Sequence, residues 1–104
     1  MTRTTLLAAA LAALLAGLSA EPAAAGPISS ACLGSGRAQA TPQLCGCIQQ
    51  VADQTLSRAD QRAAAKFFRD PHQAQEVRQS SRPRDEAFWL RYRDFGARAE
   101  AYCR

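Results

Sequence analysis

The chain has 104 residues, 13 basic and 9 acidic side chains, a formal net charge of +4 and four cysteines. A chain of this length makes one small domain, which buries only about 60% of its unfolded surface and commonly needs covalent staples. So modest a positive charge falls short of a dedicated nucleic-acid binder, and no nucleic-acid partner is expected.

Residues 1–25 read as a cleavable signal peptide. Arg3 and the start amine precede an apolar run from Leu6 to Leu18, and Pro22-Ala23-Ala24-Ala25 supplies a small-x-small cleavage site with the cut after Ala25. The run is shorter than the roughly 20 residues a spanning helix needs, and no second run follows. Ser29-Ser30-Ala31-Cys32 lacks the leucine of a lipid-anchor site. The expectation is a periplasmic or secreted protein that does not span the membrane after cleavage, with residues 26–104 forming a single helical domain. Export also implies an oxidising compartment, in which Cys32, Cys45, Cys47 and Cys103 pair.

The segment from Gly26 to Ala40 predicts a short turn of helix around Ser30–Leu33 and then a loop through Gly34-Ser35-Gly36. Thr41-Pro42 is an N-cap followed by proline at the first helical position. From there Leu44, Ile48, Val51 and Thr55 share one face at helical spacing, and Cys47 joins them. Ser57 caps a second helix, with Asp60 three residues on as an imperfect capping box. That helix turns Ala63, Ala64, Phe67 and Phe68 inward. Asp70-Pro71 ends it and starts a short helix through Val77, stopping near Ser80-Ser81.

The longest pattern runs from Pro83 to Tyr102. Phe88, Tyr92, Phe95, Ala99 and Tyr102 form an apolar stripe flanked by Trp89, while Asp94→Arg98 and Glu100→Arg104 pair at i, i+4 on the wet side. Leu33 and Leu90 are counted with Tyr102 among the few large apolar anchors. No strand alternation occurs. The expected fold is all-α, a small disulfide-stapled domain of three main helices plus one or two short ones.

Four cysteines allow three connectivities. Two positions apart on a helix, Cys45 and Cys47 point about 200° from each other, so each needs a distant partner. Cys47 shares the expected core face, which favours Cys47–Cys103 and leaves Cys32–Cys45. The competing reading gives Cys45-Gly46-Cys47 a thiol-disulfide or copper-handling role, because a helix N-terminus favours the thiolate and a C-x-C pair suits a soft ion. No zinc spacing and no Cys-x-x-Cys-His haem motif is present. No metal and no cofactor is expected.

Catalysis has no support either. His72, the single histidine, sits in a helix's first turn near Glu76, with no motif supplying a nucleophile or orienting partner. The chain is therefore expected not to be an enzyme. Arg58, Arg62, Lys66 and Arg69 line one helix side, and Arg84, Arg91 and Arg98 form a second, heptad-spaced row. Such stripes suit an acidic protein or another anionic surface. The Trp89–Arg91–Tyr92–Arg93 interleaving reads as core, since helical geometry turns Tyr92 inward with Phe88 and Phe95.

Several segments together resemble a family of small exported alphaproteobacterial proteins sometimes labelled "arginine transporter". They are Ala31-Cys32-Leu33, Leu44-Cys45-Gly46-Cys47-Ile48-Gln49, Asp60-Gln61-Arg62, Ala65-Lys66-Phe67-Phe68-Arg69-Asp70-Pro71-His72, Phe88-Trp89 and Ala101-Tyr102-Cys103. The resemblance spans residues 26–104 and brings no catalytic residues with it. Its label implies at most an accessory component linked to arginine or amino-acid transport, or a small cation held by Asp53, Asp85 or Glu86. The leading expectation is a non-enzymatic periplasmic protein that binds a macromolecular partner as an accessory, inhibitor, immunity or chaperone-like protein.

Overall fold

Four helices begin on a proline, whose fixed φ and missing N–H suit the first helical turn. The computed structural model describes residues 26–104, and the expected signal peptide lies outside them. Within them, α1 (Pro27–Leu33), α2 (Pro42–Thr55), α3 (Arg58–Arg69), α4 (Pro71–Gln79) and α5 (Pro83–Tyr102) follow one another, with no strand. The fold is a small all-α domain with α2, α3 and α5 as its main helices.

Local chemistry sets the boundaries. Thr41 Oγ1 accepts from Leu44 N (3.2 Å), Ser57 Oγ from Asp60 N (3.1 Å), and Asp70 Oδ1 from His72 N (3.1 Å). Each cap satisfies a backbone donor that the helix itself leaves open, typically worth about 1 kcal/mol. Asp70 both ends α3 and caps α4, so the two helices meet without a loop. At α5 the Ser80 hydroxyl accepts from Arg82 N (3.2 Å) and donates to Asp85 (2.6 Å). In the α1–α2 loop Gly36 has φ 74°, a left-handed conformation that glycine adopts without strain.

Helix α1 lies against α2 and α3; α5 packs on α2 and touches α3; α4 bridges α3 and α5. The core joins Ile28 and Ala31 of α1 to Val51, Ala52 and Leu56, to Ala64, Ala65 and Phe67 of α3, and to Phe88 and Phe95 of α5. Phe67 meets Tyr92 edge-on at 5.1 Å and Phe88 at 5.9 Å, the arrangement that aromatic quadrupoles favour. Burial raises the Tyr92 pKa, and Arg37 opposes that rise. A phenol that ionises later in the folded state than in the unfolded chain contributes stability below the unfolded pKa, near 10, and loses it above. In a Tyr102→Phe chain, where Tyr92 is the sole tyrosine, the tyrosinate absorbance is therefore expected to develop at higher pH in native than in urea-unfolded protein.

Three expected anchors are exposed: Leu33 (43%), Leu90 (63%) and Tyr102 (78%). Leu33 ends α1, where Gly34 turns the chain away. Leu90 lies two residues beyond Phe88 and so projects to the opposite side of α5. At the end of α5 the inward position belongs to Cys103, whose bond to Cys47 leaves Tyr102 outside. The buried face of α2 is also rotated from the expected one. Cys45, Gln49 and Ala52 are its most buried residues, while Leu44, Cys47, Ile48 and Thr55 are only half-buried.

A fully engaged amide network explains that rotation. Gly26, the N-cap of α1, has no side chain, and Gln49 Oε1 takes the cap's place by accepting from Ser29 N at 2.9 Å. Gln49 Nε2 donates to Gln61 Oε1 and Asp53 Oδ1, both at 2.8 Å. Gln61 Nε2 donates in turn to Asp53 Oδ1 (3.1 Å) and the Leu56 carbonyl (3.3 Å). Both buried carboxamides thus use every N–H they carry, which is the condition for a polar network to be tolerated inside a domain.

Candidate anionic-partner surface

Arg58, Arg62, Lys66 and Arg69 all project from the solvent side of α3. At 3.6 residues per turn they fall within an arc of about 80°. The buried positions Gln61, Ala64, Ala65 and Phe67 lie on the rest of the circumference. Among the described residues none of the four cations is in a salt bridge.

One edge of this row opens onto a groove of about 310 Å³ between α3, α4 and α5. Phe67, Val77 and Phe88 form its apolar floor, and Lys66 and Arg84 stand at its rim. The groove also holds two carboxylates, and each is already engaged. Asp60 accepts two bonds from Arg91, Nε to Oδ2 at 2.7 Å and Nη2 to Oδ1 at 3.2 Å, which tie α3 to α5. Asp60 raises the Arg91 pKa through this bond. Asp85 accepts from Ser80. Lys66 and Arg84 are left as cations beside an aromatic floor, an arrangement suited to a carboxylate-bearing partner with an apolar side chain.

The heptad row on α5 does not act as a unit. Arg91 is held by Asp60 and Arg98 by Asp94 (3.1 Å), so of the three only Arg84 stands outside a salt bridge among the described residues. Asp60 makes one half of the expected capping box by donating its backbone N–H to Ser57, while its carboxylate turns to Arg91 and not back to the Ser57 N–H. At the C-terminus Arg104 Nε donates to the Glu100 carbonyl (3.4 Å) in place of the expected carboxylate pair.

The cysteines sit apart from this surface. Cys32 bonds Cys45 (S–S 2.06 Å) and Cys47 bonds Cys103 (2.04 Å). The first bridge is buried between α1 and α2; the second is partly exposed and joins α2 to the end of α5. No cysteine is free, so the Cys45-Gly46-Cys47 segment carries no dithiol in this state. His72 is exposed, with Nε2 at 3.2 Å from Glu76. Asp53 is engaged by Gln49 and Gln61, and Asp85 by Ser80, and no group of three or more potential metal ligands occurs among the described residues.

Two parts of this arrangement escape a reading by hydropathy. The groove floor arises from Phe67 and Phe88, which periodicity assigns simply to the core. The Gln49–Gln61–Asp53 network uses residues that score as polar; its only sequence signal is Gln49 and Asp53 at i, i+4 before a helix break, with Gln61 in the first turn after it. Compared with family models, curated proteins and solved structures, the chain matches none.

Proposed function

We propose that this is a non-enzymatic exported protein whose α3–α5 groove and adjoining cation row bind an acidic segment of a partner protein. The observation that carries the reading is the groove itself: Phe67, Val77 and Phe88 offer an apolar seat, and Lys66 and Arg84 beside it are cations in no salt bridge among the described residues. Export follows from the signal-like residues 1–25, with cleavage after Ala25. It agrees with two disulfides and with the absence, among the described residues, of any helix long and apolar enough to cross a membrane.

Charge at the rim steers and orients, while the apolar seat supplies the desolvated contact. Synthetic helical peptides test this division directly. An acidic peptide with one central leucine is expected to bind, with affinity falling as salt rises. Lys66→Gln with Arg84→Gln is expected to weaken that binding about tenfold while leaving the melting temperature within a degree or two, because both residues are exposed. Arg58→Gln, Arg62→Gln and Arg69→Gln together should slow association at low salt. If these variants bind the peptide as the parent does, the row is only a solvated face. Equal binding of a lysine-based control peptide would also refute the reading, and preferential binding to phosphatidylglycerol vesicles would replace the protein partner with a lipid surface.

A further inference from the structure

Gly26 occupies a position that no other residue can fill without displacing a neighbour. It is buried, its carbonyl accepts from Ser30 N at 3.0 Å, and a Cβ placed on it would lie 2.1 to 2.6 Å from three atoms of the Gln49 carboxamide. That carboxamide is the link to Asp53, whose Oδ1 receives one N–H from Gln49 and another from Gln61. Asp53 is thus oriented by two neutral donors and separated from Gly26 by a single carboxamide. Among the described residues it has no cationic partner. A carboxylate held in this way stabilises a cation brought to the same junction.

We propose that hydrolysis of the Ala25–Gly26 bond supplies that cation, so that export processing adds an ion pair between the Gly26 ammonium and Asp53. The inference rests on the export reading above. A signal peptidase adds water across the amide: Ala25 leaves with the new carboxylate, and the Gly26 nitrogen becomes an amine that takes up a proton from solvent at neutral pH. Scission and folding then share one residue. The bond that is cut lies directly before the first described residue of the domain, where any side chain would have to displace the Gln49 carboxamide from its hydrogen bonds. The charge created by the cut meets a carboxylate already oriented.

The experiment uses the protein recovered after export, carrying Lys66→Arg, because Lys66 is the only lysine and its removal leaves the terminal amine as the one primary amine. Intact mass reads the terminus first: a mass other than that of residues 26–104 with two disulfides refutes the cleavage register and the pair with it. Folding equilibria are then measured by urea before and after acetylation of the amine, which removes its charge. With Asp53 present, acetylation is expected to lower the folding constant about threefold, and in Asp53→Asn it is expected to change nothing. Repeating the first comparison at 1 M salt needs no substitution at position 53, and the acetylation effect should shrink there. A correct mass with no effect of acetylation, or an equal effect with Asp53 and with Asn, overturns the ion pair while leaving export intact.

Discussion

Replacing Cys47 and Cys103 together by alanine is expected to lower the unfolding free energy by about 4 kcal/mol, close to the whole stability of a domain this small. The bridge closes a separation of 56 residues and joins α2 to the last helix. Without it, α5 is held by Phe88 and Phe95, by the Asp60–Arg91 pair and by its contact with α4. Its final turn, with Tyr102 exposed and Cys103 no longer tied, then has little apolar contact to keep it in place. Urea unfolding followed by far-UV circular dichroism should show the midpoint falling sharply, and the double variant should be partly unfolded at 37 °C. The shorter Cys32–Cys45 bridge, of separation 13, is expected to contribute about 3 kcal/mol by the same loop-closure argument. A loss below 1 kcal/mol for the long bridge would mean that packing alone secures α5.

Gln49→Leu is expected to cost about 2–4 kcal/mol although it puts an apolar residue of similar size at a buried position. Three hydrogen bonds leave with the carboxamide. Ser29 N loses the acceptor that caps α1, and Gln61 Oε1 loses its donor inside the domain. Orphaned buried groups of this kind bear the full desolvation penalty, which exceeds the gain from a larger apolar surface. Gly26→Ala reports on the same contact from the other side, because its methyl group must displace the Gln49 side chain. Since the methyl would enter the space the carboxamide vacates, Gly26→Ala in a Gln49→Ala chain should cost less than the two single variants added together. Thermal unfolding of the four proteins measures this coupling. Strict additivity would show that Gly26 and Gln49 act independently.

These two predictions concern features of different legibility. Thr41-Pro42, Ser57 and Asp70-Pro71 announce helix starts because capping is a local bond between residues two or three apart, and α2, α3 and α4 begin where those residues stand. The stripe through Phe88, Tyr92 and Phe95 places α5 correctly for the same reason. By contrast, the inward face of α2 was not legible. Of Leu44, Ile48, Val51 and Thr55, which hydropathy favours, only Val51 is fully buried, and the helix turns Cys45, Gln49 and Ala52 to its neighbours beside it. A glutamine becomes a core residue only when partners from α1 and α3 satisfy its amide, and those partners are 20 and 12 positions away.

The surface divides along the same line. Helical spacing alone placed Arg58, Arg62, Lys66 and Arg69 on one side of α3, and their exposure follows from the charge they carry. Which cations remain available was settled only by packing: Arg91 reaches across to Asp60, 31 residues away, whereas Arg84 forms no salt bridge among the described residues. The amino-acid sequence by itself determined the four longer helices, their starts and the cysteine content, since these depend on neighbours within a turn or two; α1 begins at Pro27, three residues before the expected turn, because its cap comes from Gln49 of α2. Only the tertiary structure decided which glutamines are buried, which cations are free and which aromatic rings floor a groove, because burial and ion pairing depend on distances between helices that no local pattern encodes.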